Sequence, residues 1–159
     1  MKKKLCALVL AVLIAISLSG CVTCLTAISV YDALVPDELQ YANVVETNWG
    51  IKLPTDGNCE RLYYDSEHHP RGEGLRYGVL RYEDETVLDD YREWTTEDGP
   101  GYYLDSYLDL VTEAFDTLSV PEKYRLDAET CQWWYHRDGQ DEIILFRSEN
   151  ILYVIESFF

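Results

Sequence analysis

Residues 130–158 read TCQWWYHRDGQDEIILFRSENILYVIESF, and this stretch decides the fold. It contains three runs of the β-branched and aromatic residues that favour strands, namely Thr130–Arg137, Glu142–Arg147 and Ile151–Phe158. Between the runs, Asp138-Gly139 favours a tight type I′ turn, and Ser148-Glu149-Asn150 turns the chain again. The middle run is apolar on both faces, which is typical of a strand that is covered on each side. The stretch therefore predicts a three-stranded antiparallel meander.

A second pair of strands is predicted upstream of the meander. Cys59–Ser66 is rich in tyrosine, and Leu75–Tyr82 places its apolar residues on one face with a period of two. The polar, glycine-containing segment Glu67–Gly74 between them is expected to be a loop. These two strands form a β-hairpin.

Three further segments have the apolar spacing of amphipathic helices, namely about 37–48, Glu83–Trp94 and Leu104–Leu118. Gly50 is placed to end the first helix. The order of elements predicts an α+β fold: a mostly antiparallel sheet of about five strands, made of the β-hairpin and the C-terminal meander, with two to three helices packed on it. Hairpins fix neighbouring strands but not how the hairpin meets the meander, so the strand order stays open.

Composition and charge exclude several classes of protein. The 159 residues are 47% hydrophobic and 26% charged, which is typical of one globular domain and not of a disordered chain. The net charge of −16 repels phosphate backbones and argues against nucleic-acid binding. The same charge favours a basic protein as a partner, because long-range attraction steers opposite charges together.

The N-terminal residues predict export. Lys2–Lys4 form a basic segment, and the uncharged run Leu5–Ser17 has the length of a signal-peptide core. Leu18-Ser19-Gly20-Cys21 follows and resembles the lipobox of bacterial lipoproteins. The resemblance implies cleavage between Gly20 and Cys21 and attachment of diacylglycerol to the Cys21 sulfur. Such an anchor would hold the chain at the outer face of the cell membrane.

These features divide the chain into a signal peptide over 1–20, a lipidated N-terminus and tether over 21–36, and a single α+β domain over 37–159. One alternative stays open. The run Leu5–Tyr31 has no charged side chain and is long enough to cross a bilayer as an uncleaved helix. Both interpretations put the domain outside, because the N-terminal lysines stay in the cytoplasm.

The predicted domain resembles the small uncharacterised lipoproteins that Gram-positive bacteria export. The resemblance rests on Gly50-Ile51-Lys52-Leu53-Pro54, followed by the tyrosine-rich strand and the polar loop. It covers about half of the domain. It implies a protein of the cell envelope and supplies no catalytic residues.

Cys59 and Cys131 are the cysteines of the predicted domain. Disulfides form in exported proteins, and both residues fall on predicted strands, so the two could pair. They could equally stay reduced as small buried apolar side chains. The sequence leaves both states open.

Residues suited to catalysis are few and poorly spaced. His68 and His69 lie in the 65–69 loop with two carboxylates, and His136 lies far along the chain. Histidine and carboxylate can bind zinc or act as a general base, so a cell-envelope hydrolase that uses this loop is an alternative function. The spacings of dedicated zinc, calcium and nucleophile motifs are absent. We therefore predict no catalytic residue, metal or cofactor, and favour a protein that is not an enzyme.

Trp133, Trp134 and Tyr135 are adjacent on one predicted strand. If helices cover only one face of the sheet, part of this group forms an exposed surface for a partner. Together with the lipobox and the acidity, it predicts a membrane-tethered exported lipoprotein with a non-catalytic binding domain. One specific version is an immunity-type protein that captures a basic toxin.

Overall fold

The computed structural model of the chain describes residues 37–55, 59–68, 73–94 and 104–159. The predicted signal peptide, the predicted tether, Cys21 as the predicted site of lipid attachment, and His69 lie outside the described residues. Tyr41–Phe159 forms one compact unit, and the contacts below are those within this unit.

The elements follow the predicted order. The helices are α1 (Asp37–Trp49), the single turn α2 (Thr86–Asp89) and α3 (Leu104–Thr117), with a 3₁₀ turn at Glu122–Tyr124. The strands are β1 (Cys59–His68), β2 (Gly74–Tyr82), β3 (Gln132–Asp138), β4 (Asp141–Ser148) and β5 (Ile151–Phe158). The predicted α+β fold with a five-stranded antiparallel sheet is confirmed.

The strand order is β1-β2-β5-β4-β3, and every neighbouring pair is antiparallel. The hairpin and the meander meet along β2 and β5, where Leu75 pairs with Ser157 and Tyr77 with Ile155. This contact leaves β1 and β3 as the two edge strands. A β-bulge between Arg61 and Tyr63 interrupts β1, and bulges are a common protection of sheet edges.

Helices cover both faces of the sheet. Successive residues of a strand point to opposite faces, so Ile143 and Leu145 of β4 belong to one apolar cluster, and Ile144 and Phe146 belong to another. The α3 face is covered by side chains from α3 and the segment after it, including Tyr107, Val111, Ala114, Phe115, Leu118 and Val120. The α1 face is covered by Tyr41, Ala42, Val45, Ile51, Leu53 and Leu88. As its apolar run predicts, β4 is buried on both sides.

The helix predicted over Glu83–Trp94 is wrong beyond a single turn. Asp89 and Asp90 put negative charge at the C-terminal end of α2, where the helix dipole disfavours it. The Trp94 indole also donates a 2.6 Å hydrogen bond to the Leu88 carbonyl, which a longer helix would use for its own backbone. The apolar residues of the segment nevertheless pack on the α1 face, namely Val87, Leu88, Tyr91 and Trp94.

Two glycines support the turns. Gly50 ends α1 with a φ of 64°, as predicted, and its N–H donates to the Glu46 carbonyl. Asp138 pairs with Asp141, so Gly139 and Gln140 are the central residues of the β3–β4 turn. Only Gly139 of the two has a positive φ, 65°. The predicted type I′ turn is therefore wrong, because that type needs positive φ at both positions, and glycine in the first is the type II′ pattern.

Candidate functional site

A cavity of about 300 Å³ opens where the ends of β1, β2 and β5 meet α3. We call it the acidic pocket, because three of its side chains are carboxylates. It is lined by Glu67, Glu73, Gly74, Leu75, Glu113, Thr117, Ser157, Phe158 and Phe159. Its volume is at the lower end of the range for ligand sites and suits a single side chain or small group.

Three different elements supply the carboxylates of the acidic pocket. Glu67 lies near the end of β1, Glu73 directly precedes β2, and Glu113 lies on α3. Asp109 and Asp116 are exposed one turn to either side of Glu113, because helix residues three and four apart share a face. The solvent side of α3 therefore extends the negative charge beyond the pocket.

Apolar side chains form the other part of the acidic pocket. Leu75 is buried, whereas Phe159 is 69% exposed. The Phe159 N–H donates a 2.9 Å hydrogen bond to Asp141, which fixes the position of that residue. Carboxylates beside an apolar wall fit a cation on an aliphatic stem, as in arginine or lysine, whose stem packs while the charge is paired.

The charge of the acidic pocket is not compensated by the described residues. Their ion pairs join Arg76 to Glu156, Arg81 to Glu60, Arg137 to Glu142 and Arg147 to Asp89, so none includes a pocket carboxylate. Exposed acidic side chains also greatly outnumber exposed basic ones in the described ranges. A concave site with one sign of charge attracts ligands of the opposite sign.

A second group of polar residues lies on the α1 face of the sheet, around a buried carboxylate. Glu156 of β5 is 0% exposed. Its Oε2 accepts a 2.7 Å hydrogen bond from the Trp49 indole and pairs with Arg76 at 3.1 Å. The Arg76 guanidinium also lies 4.6 Å from the centre of the Phe158 ring. We call Tyr41, Trp49, Arg76 and Glu156 the Glu156 cluster.

Burial controls the electrostatics of the Glu156 cluster. Desolvation raises the pKa of Glu156, and Arg76, Trp49 and Asn48 oppose that rise because they stabilise the carboxylate. Burial, and then the charge of Glu156, raise the pKa of Tyr41 well above its usual value. The second effect shows that the phenol and the carboxylate are close together.

The aromatic residues of β3 do not form one surface. Trp133 and Tyr135 pack on the α3 face, with ring centres 5.5 and 4.9 Å from that of Tyr107. Trp134 packs on the α1 face, stacked on His136 at 6.0 Å. All three are half-buried, because helices cover both faces. The condition for a single exposed platform, one open face of the sheet, is therefore not met.

The two cysteines of the domain lie at opposite edges of the sheet. Cys59 begins β1 and packs on the α1 face, whereas Cys131 directly precedes β3 and is buried on the α3 face. Edge strands of a five-stranded sheet are about 19 Å apart, and a disulfide needs a Cα separation below about 7 Å. The pair therefore does not form a disulfide in this structure. Cys131 is a free thiol whose pKa burial raises to about 11, so it is poorly reactive.

The alternative hydrolase site is not assembled by the described residues. His136 lies on β3, at the opposite edge of the sheet from Asp65 on β1. Asp65 is bonded locally, because it accepts hydrogen bonds from the Tyr63 hydroxyl and the Ser66 N–H. Over 37–55, 59–68, 73–94 and 104–159, no three histidine, cysteine or acidic side chains converge as metal ligands. In the same ranges, no helix is both long and apolar enough to cross a bilayer.

Most residues of the acidic pocket and of the Glu156 cluster cannot be recognised from the sequence alone. Glu73 and Glu113 meet only because β2 packs beside α3, and no local pattern shows that contact. Glu156 is the exception, because it is a charged residue within the apolar run of β5. The alternation of side chains along the strand places residue 156 in the interior, where an unpaired charge is rare. Comparison with protein-family models, with curated proteins and with solved structures found no match for this chain.

Proposed function

We propose that this chain is an exported lipoprotein, held by lipid on Cys21 at the outer face of the cell membrane, whose domain binds a basic protein partner. The observation that carries the binding role is the acidic pocket. It combines three carboxylates that form no ion pair with the described residues and an exposed phenylalanine at one open end of the sheet. The export and anchoring rest on the basic segment, the apolar run and the lipobox of residues 2–21.

The acidic pocket and the overall charge act at different distances. The net charge of −16 attracts a basic partner from afar and speeds encounter, an effect that salt screens. The pocket then selects one cationic side chain, whose stem contacts Phe159 and whose charge meets the carboxylates. Charge-assisted hydrogen bonds of this kind are stronger than neutral ones. In a narrower version of the proposal the partner is a basic toxin, and the chain is an immunity-type protein.

Replacing the pocket carboxylates is expected to weaken binding of a basic probe. We would titrate an oligoarginine peptide onto the full chain in detergent micelles by calorimetry. The triple variant Glu67→Gln, Glu73→Gln, Glu113→Gln should raise the Kd by at least about tenfold, because paired charges at the pocket are lost. The matched control is Glu93→Gln, Glu122→Gln, Glu129→Gln, which removes the same charge from exposed positions outside the pocket. Equal weakening in both variants would contradict a pocket-centred site.

Lipidation is expected to change the mass of the chain isolated from the membranes of its own host. The proposal predicts a mass that corresponds to residues 21–159 plus a diacylglyceryl group. In a Cys21→Ala variant, that species should disappear, because the sulfur that receives the lipid is absent. A wild-type mass that corresponds to residues 1–159 would instead establish an uncleaved anchor and refute the lipobox.

A further inference from the structure

The Glu156 cluster holds α1 against the sheet through one buried carboxylate. From α1, Trp49 donates to Oε2 at 2.7 Å, and the Asn48 side chain lowers the pKa of the carboxyl by stabilising its ionised form. From β2, Arg76 pairs with the same Oε2 at 3.1 Å. Oε2 of Glu156 therefore accepts hydrogen bonds from both α1 and β2.

The other oxygen of Glu156, Oε1, differs from Oε2 in its hydrogen bonding. Oε1 is fully buried and has no well-formed hydrogen bond, and the same holds for the Tyr41 hydroxyl of α1. Buried polar atoms without partners are rare, and an ionised oxygen in that state carries a large desolvation cost. Protonation of the carboxyl removes the cost of burying its charge, and the protonated group gains a hydrogen-bond donor that the ionised one lacks.

The titratable and charged groups around Glu156 come from every element packed against it. α1 contributes Tyr41, β2 contributes Arg76, and β1 contributes Tyr64, whose ring lies 5.1 Å from that of Tyr41. From β3, His136 contacts the ring of Trp49 edge-on at 6.5 Å. β4 faces Glu156 with the apolar Ile143. Arg76 is therefore the one charged side chain of the described part that bonds the carboxylate directly.

We propose that Glu156 makes the packing of α1 on the sheet depend on pH, so that α1 is held most tightly when Glu156 carries a proton and loosens as the pH rises. The proposal is independent of the acidic pocket and of any partner. Its geometric basis is that the fully buried carboxyl group of Glu156, whose Oε1 has no hydrogen bond of good geometry, lies beneath α1, the helix that directly follows the predicted tether.

The direction of the effect follows from linkage. Burial raises the pKa of Glu156 above the 4.5 expected of an exposed glutamate, so the folded domain binds this proton more tightly than the unfolded chain does. Stability from a raised carboxyl pKa is fully present below the unfolded value and is lost as the pH rises through the folded value. The loss is expected to appear first in α1, because α1 and the sheet meet at this group.

The test is hydrogen exchange of the full chain in detergent micelles, followed by mass spectrometry and corrected for the intrinsic pH dependence of exchange. Between about pH 5 and about pH 8, protection of the Tyr41–Trp49 amides should fall on the order of tenfold. Glu156→Gln should flatten that dependence, since it cannot ionise. The control Glu60→Gln makes the same change at an exposed residue paired with Arg81 and should leave the dependence unchanged.

A second variant keeps the test decisive if Glu156→Gln fails to fold. Trp49→Phe removes the indole donor that favours the carboxylate, so the loss of α1 protection should shift to higher pH. A pH dependence that is the same in wild type, Glu156→Gln and Trp49→Phe would overturn the proposal. So would an α1 that becomes better protected as the pH rises.

Discussion

Gly78→Ala is expected to destabilise the domain by about 3 kcal/mol, because a methyl group at this position has no room. A Cβ on Gly78 would lie 2.5 Å from Cζ and 2.6 Å from the hydroxyl oxygen of Tyr41. Both distances are far inside van der Waals contact. The ring of Tyr41 lies directly over β2, so α1 can approach the sheet this closely only because residue 78 lacks a side chain.

Relief of this clash by movement of Tyr41 is costly. The ring is 2% exposed and lies 5.1 Å from the Tyr64 ring. Gly78 itself pairs with Tyr64 in β1 and with Val154 in β5, so its backbone is held on both sides. Well-packed protein interiors do not readily rearrange to make room for an added methyl group. The free energy of unfolding, measured by urea titration at fixed pH, checks the expected loss.

Gly139→Ala is the matched control for the Gly78 variant. A Cβ at residue 139 meets no atom within 4 Å, so only its φ of 65° is unfavourable, and the expected loss is about 1 kcal/mol. The double variant Gly78→Ala, Tyr41→Leu removes the clashing ring and should lose less than the sum of its single variants. A loss at Gly78 no greater than that at Gly139 would refute the steric explanation.

Most of the fold was predictable, because the strands carry their own signals. The apolar run of β4, the positions of the turns on either side of it and the amphipathic spacing of α3 depend on neighbours in sequence, and these predictions agree with the structure, although the β3–β4 turn is not of the predicted type I′. Glu83–Trp94 was not predictable by apolar spacing alone. The same spacing serves a helix or an irregular chain that packs on the sheet, and here hydrogen bonding by the Trp94 indole favours the irregular chain.

The candidate sites were much less predictable, because they depend on the strand order. The contact of β2 with β5 places Arg76 opposite Glu156 and Leu75 opposite Ser157. Residues 80 positions apart thereby form a buried pair, and carboxylates from three elements meet in the acidic pocket. Neither the hairpin nor the meander contains information about that contact. The aromatic triplet of β3 was conspicuous in sequence, yet alternation divides it between the two faces.

Arg76→Ala is expected to destabilise the domain by about 3–5 kcal/mol near neutral pH, because it leaves a fully buried carboxylate without its charge partner. The loss should shrink as the pH falls. Without Arg76, the pKa of Glu156 rises further, so the carboxyl takes up a proton at higher pH and its burial then costs less. Urea unfolding of the full chain in detergent at about pH 5 and about pH 7.5 measures both effects.

Two comparisons separate the loss of charge from the loss of packing at Arg76. Arg81→Ala breaks a pair whose members are 51% and 62% exposed, so it should change the free energy of unfolding by less than about 1 kcal/mol. Arg76 also covers the Phe158 ring, and this packing is lost in any alanine variant. Adding Glu156→Gln to Arg76→Ala should therefore restore part of the stability if the unpaired charge causes the loss, since the double variant buries no ion. If the double variant is as unstable at neutral pH as Arg76→Ala, the packing on Phe158 accounts for the loss, and Glu156 has no special role in holding α1.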